Sequence, residues 1–284
     1  MRRRRRAVDV GPKVDLHCHS DSSDGRLPAE ALAEAAARAG LAALAITDHD
    51  LVPVLGHGDR HFGASHIRLI AGVELSTMHE GKELHLLVYF PDAMPNEYAD
   101  WVRARTVWRA HWFDECARAL GLDDGIRADR AAMEGRRTLT RVHLARAVVE
   151  QGVAPNLRAA FNEHVGHSST VIPPLNVSFL DALTVAKDCG GWTSWAHPPP
   201  RHAEQWAQRF SAAGLDALES HRPAKSARNR LASLAHQNGM GITGGSDWHG
   251  WEKRKMGSFR VPARALHKTD RALRLVNETA CREP

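Results

Sequence analysis

The stretch His17-Cys18-His19-Ser20-Asp21-Ser22-Ser23-Asp24-Gly25 follows a short run, Val14-Asp15-Leu16, that is typical of a β-strand. Alternate side chains of a strand share a face, so His17 and His19 are expected to point in one direction. A carboxylate, Asp24, follows in a turn rich in Ser, Asp and Gly. Such nitrogen and oxygen donors are typical of zinc, manganese or iron sites. The stretch predicts a metal site at the end of the strand, although an H-x-H motif alone also occurs on surface strands.

The composition is that of a globular protein. Its 284 residues are 43% hydrophobic and 25% charged, and this length suffices for one α/β barrel or for one domain with an insertion. The sequence holds no apolar run long enough to span a membrane, and its four scattered cysteines favour a reducing, cytoplasmic location. The net charge of +5 favours an anionic partner. The basic run 2–6 is interpreted as a solvated tail, with contact to nucleic acid as the alternative.

Predicted strands and helices alternate along the first third of the chain. A helix over 28–39 precedes a buried strand over 41–46, which ends at Thr47-Asp48-His49-Asp50. The segment 53–65 is rich in Gly and His and is predicted to be an irregular loop.

The next two strands, over 67–73 and 84–90, carry Glu74 and His85 close to their facing ends. Too few residues separate them for a helical crossover, which needs roughly a dozen. We therefore predict an antiparallel hairpin that brings His85 to Glu74.

Helical and arginine-rich sequence dominates from about residue 98 to residue 166, which predicts a helical insertion between two strands of a barrel. Alternating strands and helices resume at Ser178. One strand, over 192–196, ends at His197, and the last ends at Gly245-Ser246-Asp247-Trp248-His249.

Nine residues of metal-ligand type therefore lie at or near predicted strand ends: His17, His19, Asp24, His49, Glu74, His85, His197, Asp247 and His249. Nine ligands exceed the needs of one ion with four to six ligands, so two or three ions are predicted. An anionic substrate such as a phosphate ester would complement such a centre.

These motifs, in this order along the chain, resemble those of the polymerase and histidinol phosphatase (PHP) family of metal-dependent phosphoesterases. The resemblance rests on His17-x-His19 with Asp24-Gly25, Thr47-Asp48-His49-Asp50, Gly72-Val73-Glu74, Leu84-His85, Ala196-His197-Pro198 and Gly245-Ser246-Asp247-x-His249. It implies an α/β fold, namely a distorted seven-stranded β/α (TIM-like) barrel with a small helical insertion domain. The implied boundaries are 1–97 and 169–284 for the two parts of the barrel and 98–168 for the insertion.

The same resemblance implies how the ligands share the ions. One ion would be held by His17, His19, Glu74 and Asp247, a second by Glu74, His85 and His197, and a third by Asp24, His49 and His249. Two to three divalent transition metals are expected, with manganese placed first and iron or zinc as alternatives.

The insertion is similar to that of one family branch, which hydrolyses nucleoside 3',5'-bisphosphates and trims short RNAs from the 5' end. The similar residues are Thr140-Arg141-x-His143-x-Ala145-Arg146 and Pro173-Pro174. The resemblance implies that the substrate phosphate is bound by Arg105, Arg109, Arg141 and His143, since a guanidinium matches phosphate bidentately. Ordinary helix-surface charge is the alternative interpretation of the arginines. Val171-Ile172 departs from the branch, which carries an aromatic residue before the two prolines.

The expected function is hydrolysis of phosphate esters in nucleotides, either nucleoside 3',5'-bisphosphates or short 5'-phosphorylated oligoribonucleotides, by attack of a metal-bridging hydroxide. The alternative is a small-molecule phosphatase of the histidinol-phosphate type, which would need fewer arginines. A non-catalytic module would have lost ligands, and an amidohydrolase would carry a metal-bridging lysine. The expected partner is a nucleotide or short RNA, with neither a membrane nor an obligate protein partner.

Overall fold

The structure, a computed structural model, describes residues 11–123, 125–166, 169–251 and 253–275. The basic run 2–6 and Cys281 lie outside the described residues. Within these ranges the fold is mixed α/β, with ten strands in two five-stranded sheets. The helices of these ranges include none with the length and apolar character that crossing a membrane requires.

The first sheet has the strand order β10-β1-β2-β4-β3. Strands β1, β2 and β4 run parallel, and each outer strand pairs antiparallel with its neighbour. The strands are β1 (Lys13–Asp15), β2 (Ala43–Leu44), β3 (Gly58–Phe62), β4 (Ser65–Leu69) and β10 (Val261–Pro262).

The predicted irregular loop over 53–65 is wrong in part. It contains β3 and the first residue of β4, which form an antiparallel hairpin at the edge of the sheet. No residue of β3 is fully buried, so its sequence lacks the apolar alternation by which a half-buried strand is recognised. Pairing with β4, rather than local sequence, makes this segment a strand.

The second sheet has the order β5-β6-β7-β8-β9. The predicted hairpin is confirmed, because β5 and β6 pair antiparallel and His85 lies opposite Ser76, two residues from Glu74. Strands β7, β8 and β9 run parallel. The strands are β5 (Ala71–His79), β6 (Lys82–Phe90), β7 (Trp192–Trp195), β8 (Ala217–His221) and β9 (Gly241–Gly244).

The two sheets are joined by hydrogen bonds beyond the ends of their strands. The Leu16 N–H donates to Gly244 O (3.3 Å), and the Asp247 N–H donates to His17 O (2.8 Å). On the other side, the Asp50 N–H donates to Glu74 O (2.9 Å). The α/β class is thus confirmed, whereas the strands form two sheets and the single seven-stranded barrel stays a prediction.

The helices outside the insertion are α1 (Ala29–Arg38), α6 (Phe179–Asp188), α7 (Pro200–Ala212), α8 (Arg228–Gln237) and α9 (Thr269–Ala272). Helix α1 packs Leu32 and Ala36 against an apolar cluster that includes Leu44 and Ile67 of the first sheet. Helices α6, α7 and α8 contribute Phe179, Phe210 and Leu231 to the main core beside the second sheet.

In the described residues between β6 and α6, the chain forms four helices and a π-helical turn. They have a separate apolar cluster that includes Phe113, Leu144 and Val148. Trp112 is buried in the cluster, and its Nε1 donates to Pro173 O at 2.9 Å. The domain boundaries inferred from the sequence stay a prediction. The elements are α2 (Asn96–Ala119), α3 (Arg130–Met133), α4 (Arg141–Glu150), α5 (Leu157–Ala160) and the turn Phe161–Val165.

Candidate metal centre

The structure brings all nine predicted ligand residues into one cluster. Seven follow the ends of β1, β2, β7 and β9, Glu74 lies in β5, and His85 lies in β6. Their side chains come from both sheets, and the turn after β1 supplies Asp24 and His19. The candidate donor atoms lie within 4.8 Å of one another in each of four groups: His19, Asp24, His49 and His249; His17, His19 and Asp247; His17, Glu74 and His197; and His49, Glu74 and His85.

Glu74 is the centre of this cluster. Its Oε1 lies 3.0 Å from Nδ1 of His85 and 3.0 Å from Nε2 of His197. Its Oε2 lies 3.2 Å from Nε2 of both His17 and His19. The side chain is fully buried, so its charge is not screened by water. One carboxylate therefore contacts histidines that belong to different ligand groups.

The backbone around the ligands is locally constrained. His197 and Asp247 adopt positive φ angles of 33° and 51°, which non-glycine residues rarely do outside functional sites. Gly245 packs directly on the chain at His17, since a Cβ atom there would lie 2.3 Å from His17 Cβ. The close approach of β1 and β9 ends therefore depends on a residue without a side chain.

The pKa values of the clustered histidines suit a site where metal ions bind in competition with protons. Burial lowers the pKa of His49 to about 3, so its imidazole is neutral and free to bind a metal. Burial also acts to lower the pKa of His19 and His85, but Asp247 and Glu74 outweigh it for His19, and Glu74 and Glu83 for His85. The pKa of each rises to about 10. These two imidazoles must lose protons before they bind a metal.

Several buried donor atoms in the cluster lie close to one another but form no well-aligned hydrogen bond, which fits a metal between them. His19 Nδ1, His49 Nδ1 and Glu74 Oε2 are buried and accept or donate no hydrogen bond within the described residues. Buried polar atoms are normally paired, so ligation would satisfy them. The Cys18 thiol instead donates to Ala45 O (3.4 Å), which leaves a nitrogen and oxygen donor set. Such a set suits manganese, iron or zinc.

Comparison with known proteins identifies the family. The model of the PHP domain matches residues 15–102. The 5'-3' exoribonuclease Rnm of Escherichia coli is 30% identical over 249 residues, which cover 83% of this chain and 84% of that protein. The chain belongs to the PHP family. The 3',5'-nucleoside bisphosphate phosphatase of Chromobacterium violaceum is 27% identical over 248 residues, covering 83% of this chain and 87% of that protein.

A solved structure has a similar fold. A Bifidobacterium adolescentis protein that is assigned as a metal-dependent phosphoesterase superimposes with a TM-score of 0.68 at 26% identity, over 94% of this chain and 98% of that protein. The family predicted from the sequence motifs is therefore confirmed. The nine ligand assignments are not tested by these similarities and stay predictions.

Sequence analysis missed a carboxylate that supports the ligands of this PHP site. His17 Nδ1 donates to Glu219 Oε1 (3.0 Å), and the backbone N–H of His197 donates to Glu219 Oε2 (2.8 Å). Glu219 is fully buried in β8. Its position near the end of a parallel strand was the available signal, because the same position in other strands carries ligands.

Asp15 and Asp48 also fix the backbone that carries the candidate ligands. Asp15 Oδ1 accepts hydrogen bonds from the backbone N–H of His17 (3.3 Å) and of Ser246 (2.8 Å), which ties the ends of β1 and β9 together. Asp48 accepts from Ser20 and Ser23 and fixes the turn that leads to Asp24. Burial raises the pKa of Asp15 to about 6.

The four predicted phosphate-binding residues differ in their surroundings. Arg109 lines a cavity of about 190 Å³ together with the candidate ligands, and it is 2% exposed. Its Nε and Nη1 make no hydrogen bond within the described residues, although Nε lies 3.6 Å from Asp50 Oδ2. Arg109 thus presents a buried guanidinium to the cavity.

Arg141 also lines this cavity, but its guanidinium donates to Glu83 Oε2 at 2.8 and 3.0 Å and to Val165 O at 2.8 Å. Arg105 donates to Asp50 Oδ1 and Ser76 O and is absent from the residues that form the cavity wall. The His143 ring completes the capping box of α4 with Thr140. These contacts favour supporting roles for Arg105 and His143.

Proposed function

We propose that this chain is a metal-dependent phosphoesterase that hydrolyses nucleotides, namely nucleoside 3',5'-bisphosphates, short 5'-phosphorylated oligoribonucleotides, or both. The observation that carries the proposal is the buried, incompletely paired Arg109 guanidinium in the same cavity as seven of the nine candidate ligands. A cation at that place suits a substrate with a second phosphate besides the one hydrolysed.

We propose that two to three divalent ions, with manganese first and iron or zinc as alternatives, bind the nine clustered residues. The proposed partition gives one ion to His17, His19, Glu74 and Asp247, a second to Glu74, His85 and His197, and a third to Asp24, His49 and His249. The overlapping donor groups within 4.8 Å support this partition, although they also pair His49 with Glu74. When bound, such ions supply a hydroxide nucleophile and neutralise the charge of the phosphate.

The residues of the chain have three further tasks in this proposal. Glu219 holds the imidazole of His17 with its proton on Nδ1, so that Nε2 faces the centre. Arg109 binds the phosphate that is not hydrolysed and so orients the substrate. Glu83 forms an ion pair with Arg141 and fixes that guanidinium at the cavity wall near Arg109.

The test compares substrates on metal-loaded protein. A nucleoside 3',5'-bisphosphate should release phosphate, and a chelator should abolish the release. Replacing Arg109 with glutamine removes a charge-assisted contact worth roughly 1.5–3 kcal/mol, so kcat/KM for the bisphosphate should fall about 10- to 150-fold. The same variant should keep its activity on p-nitrophenyl phosphate, which has no second phosphate.

Arg118→Gln is the matched control, since Arg118 lies exposed on the same helix α2. Equal losses of Arg109→Gln on both substrates would assign Arg109 to the fold or the metal centre. A preference of the wild type for histidinol phosphate would favour the small-molecule phosphatase, and full activity in chelator would contradict metal dependence.

We also propose the finer architecture implied by the family. The two sheets would act as one distorted seven-stranded barrel, in parts 1–97 and 169–284, and the segment 98–168 would be the substrate cap. The cysteines Cys18, Cys116 and Cys189 form no disulfide, which supports a cytoplasmic location.

A further inference from the structure

A second cavity of about 330 Å³ adjoins the candidate metal centre. Glu83, His85 and His197 line both this cavity and the one that holds Arg109, so they lie between the two. The remaining lining residues differ: Arg109 and Arg141 belong to the first cavity alone, and Lys82 and His202 to the second alone. The metal centre therefore has a recess on each side of the His85 and His197 pair.

The second cavity is built from groups that suit a nucleoside. Trp195 and Pro199 form apolar wall, and the His202 ring is held by parallel stacking on Trp206, with centroids 5.0 Å apart and an interplanar angle of 27°. A flat ring fixed in this way can stack a base of any sequence. Lys82 lines the same cavity and its side chain is exposed.

We propose that the second cavity binds the downstream nucleoside of a 5'-phosphorylated oligoribonucleotide, with the ring of His202 as the surface on which its base stacks. The inference rests on the proposed function. In a nucleoside 3',5'-bisphosphate, the 3'-phosphate at the metal centre carries no further ester, so no part of the substrate extends past His85 and His197. In RNA the same phosphate carries a further ester through O5', and the attached nucleoside needs space on the side away from Arg109.

One reaction serves both substrates. The oxygen of water bonds to phosphorus, the bond from phosphorus to O3' breaks, and a proton goes to O3'. The bisphosphate yields a 5'-mononucleotide and inorganic phosphate. The oligonucleotide yields the same mononucleotide and a shortened chain that keeps the phosphate on its new 5' end, ready for another cycle. Arg109 binds the 5'-phosphate of the departing nucleotide in both cases, and only the second cavity distinguishes them.

The experiment measures kcat/KM for a bisphosphate pNp and for a dinucleotide pNpN, on wild type and His202→Ala. Loss of one stacked base contact should lower the value for pNpN about 5- to 150-fold and leave that for pNp unchanged. The activity on pNp also shows that the variant is folded. His236→Ala is the matched control, because His236 is exposed on α8, contacts the ring of His267, and lines neither cavity.

A second variant, Lys82→Gln, tests the exposed lysine of the cavity. With a trinucleotide pNpNpN it should lower kcat/KM and reduce the slope of log kcat/KM against log salt by about 0.7, the value for one phosphate contact on a single strand. Equal losses of His202→Ala on pNp and pNpN, or no loss on pNpN, would overturn the inference. Wild type that cleaves pNp but not pNpN would overturn it and leave the proposed function intact, whereas wild type that cleaves neither would refute the proposed function itself.

Discussion

Replacing Glu219 with glutamine should weaken metal binding without unfolding the protein. The buried carboxylate accepts one hydrogen bond on each oxygen, from His17 Nδ1 (3.0 Å) and from the backbone N–H of His197 (2.8 Å). Glutamine has the same shape but only one acceptor oxygen. Whichever way its amide is turned, one of these two donors faces an NH2 group and is left unpaired.

The size of the effect follows from that unpaired donor. A buried donor without an acceptor costs about 1–3 kcal/mol, which corresponds to about 5- to 150-fold in an equilibrium constant. Partners of metal-binding histidines typically contribute about 10- to 100-fold to metal affinity, which agrees. We therefore expect Glu219→Gln to bind manganese about 10- to 100-fold more weakly than wild type.

The assay is competition between the protein and a chelator of known affinity, with metal content measured per chain. Circular dichroism and thermal unfolding of the metal-free forms report whether the fold is kept. Glu204→Gln is the matched control, because Glu204 forms an exposed ion pair with Arg230 and belongs to none of the candidate ligand groups. A folded Glu219→Gln variant that holds metal as tightly as Glu204→Gln would refute the assignment of Glu219 as the support of His17 and His197.

Three further predictions follow from the same region. Metal affinity should rise with pH, by about tenfold per unit for each proton displaced, because His19 and His85 have pKa values raised to about 10; a pH-independent affinity in chelator competition would contradict this. In the metal-free protein, the pKa of Asp15 is raised from an ordinary 3.8 to about 6, so the stability that its protonated form contributes is lost as the pH rises through that window. Between pH 4 and pH 7, the free energy of unfolding of Asp15→Asn should therefore increase by about 3 kcal/mol relative to that of wild type, as measured by urea titration. A difference that stays constant with pH would exclude the shift. Gly245→Ala should lower the free energy of unfolding by about 1–3 kcal/mol and reduce metal content, because its Cβ would lie 2.3 Å from that of a ligand histidine, while Gly56→Ala, whose nearest neighbour is 3.9 Å away, should change neither.

The parts of the site that sequence predicts best are those set by local periodicity. Alternation along a strand places His17 and His19 on one face, and the short connection after β5 forces a hairpin that brings His85 to Glu74. The family motifs then supply the order of the remaining ligands. None of these inferences needs knowledge of how the two sheets meet.

The parts that sequence could not supply depend on that meeting. In the sequence, Glu219 cannot be distinguished from other glutamates in strands. Its role follows from the fold, which places His17, after β1, and His197, after β7, within hydrogen-bond distance of its two oxygens. Arg105 and Arg109 lie about one helical turn apart on α2. Asp50, which has a φ of 45°, accepts hydrogen bonds from the Arg105 guanidinium, whereas Nε and Nη1 of Arg109 form no hydrogen bond within the described residues. This difference depends on where the fold places Asp50. The edge strand β3 likewise exists through pairing with β4.

The hydrogen bonds that join the two sheets have a mechanical consequence. The sheets meet where the Asp247 N–H bonds to His17 O and where Asp50 bonds to Glu74, and the ligand cluster lies over both junctions. An ion held by both Glu74, in the second sheet, and His17, which follows a strand of the first sheet, would thus cross-link the two sheets. Catalytic competence and the cohesion of the two sheets would then be lost at the same step, so a chain that loses its ions would become susceptible to proteases at these junctions before its helices melt.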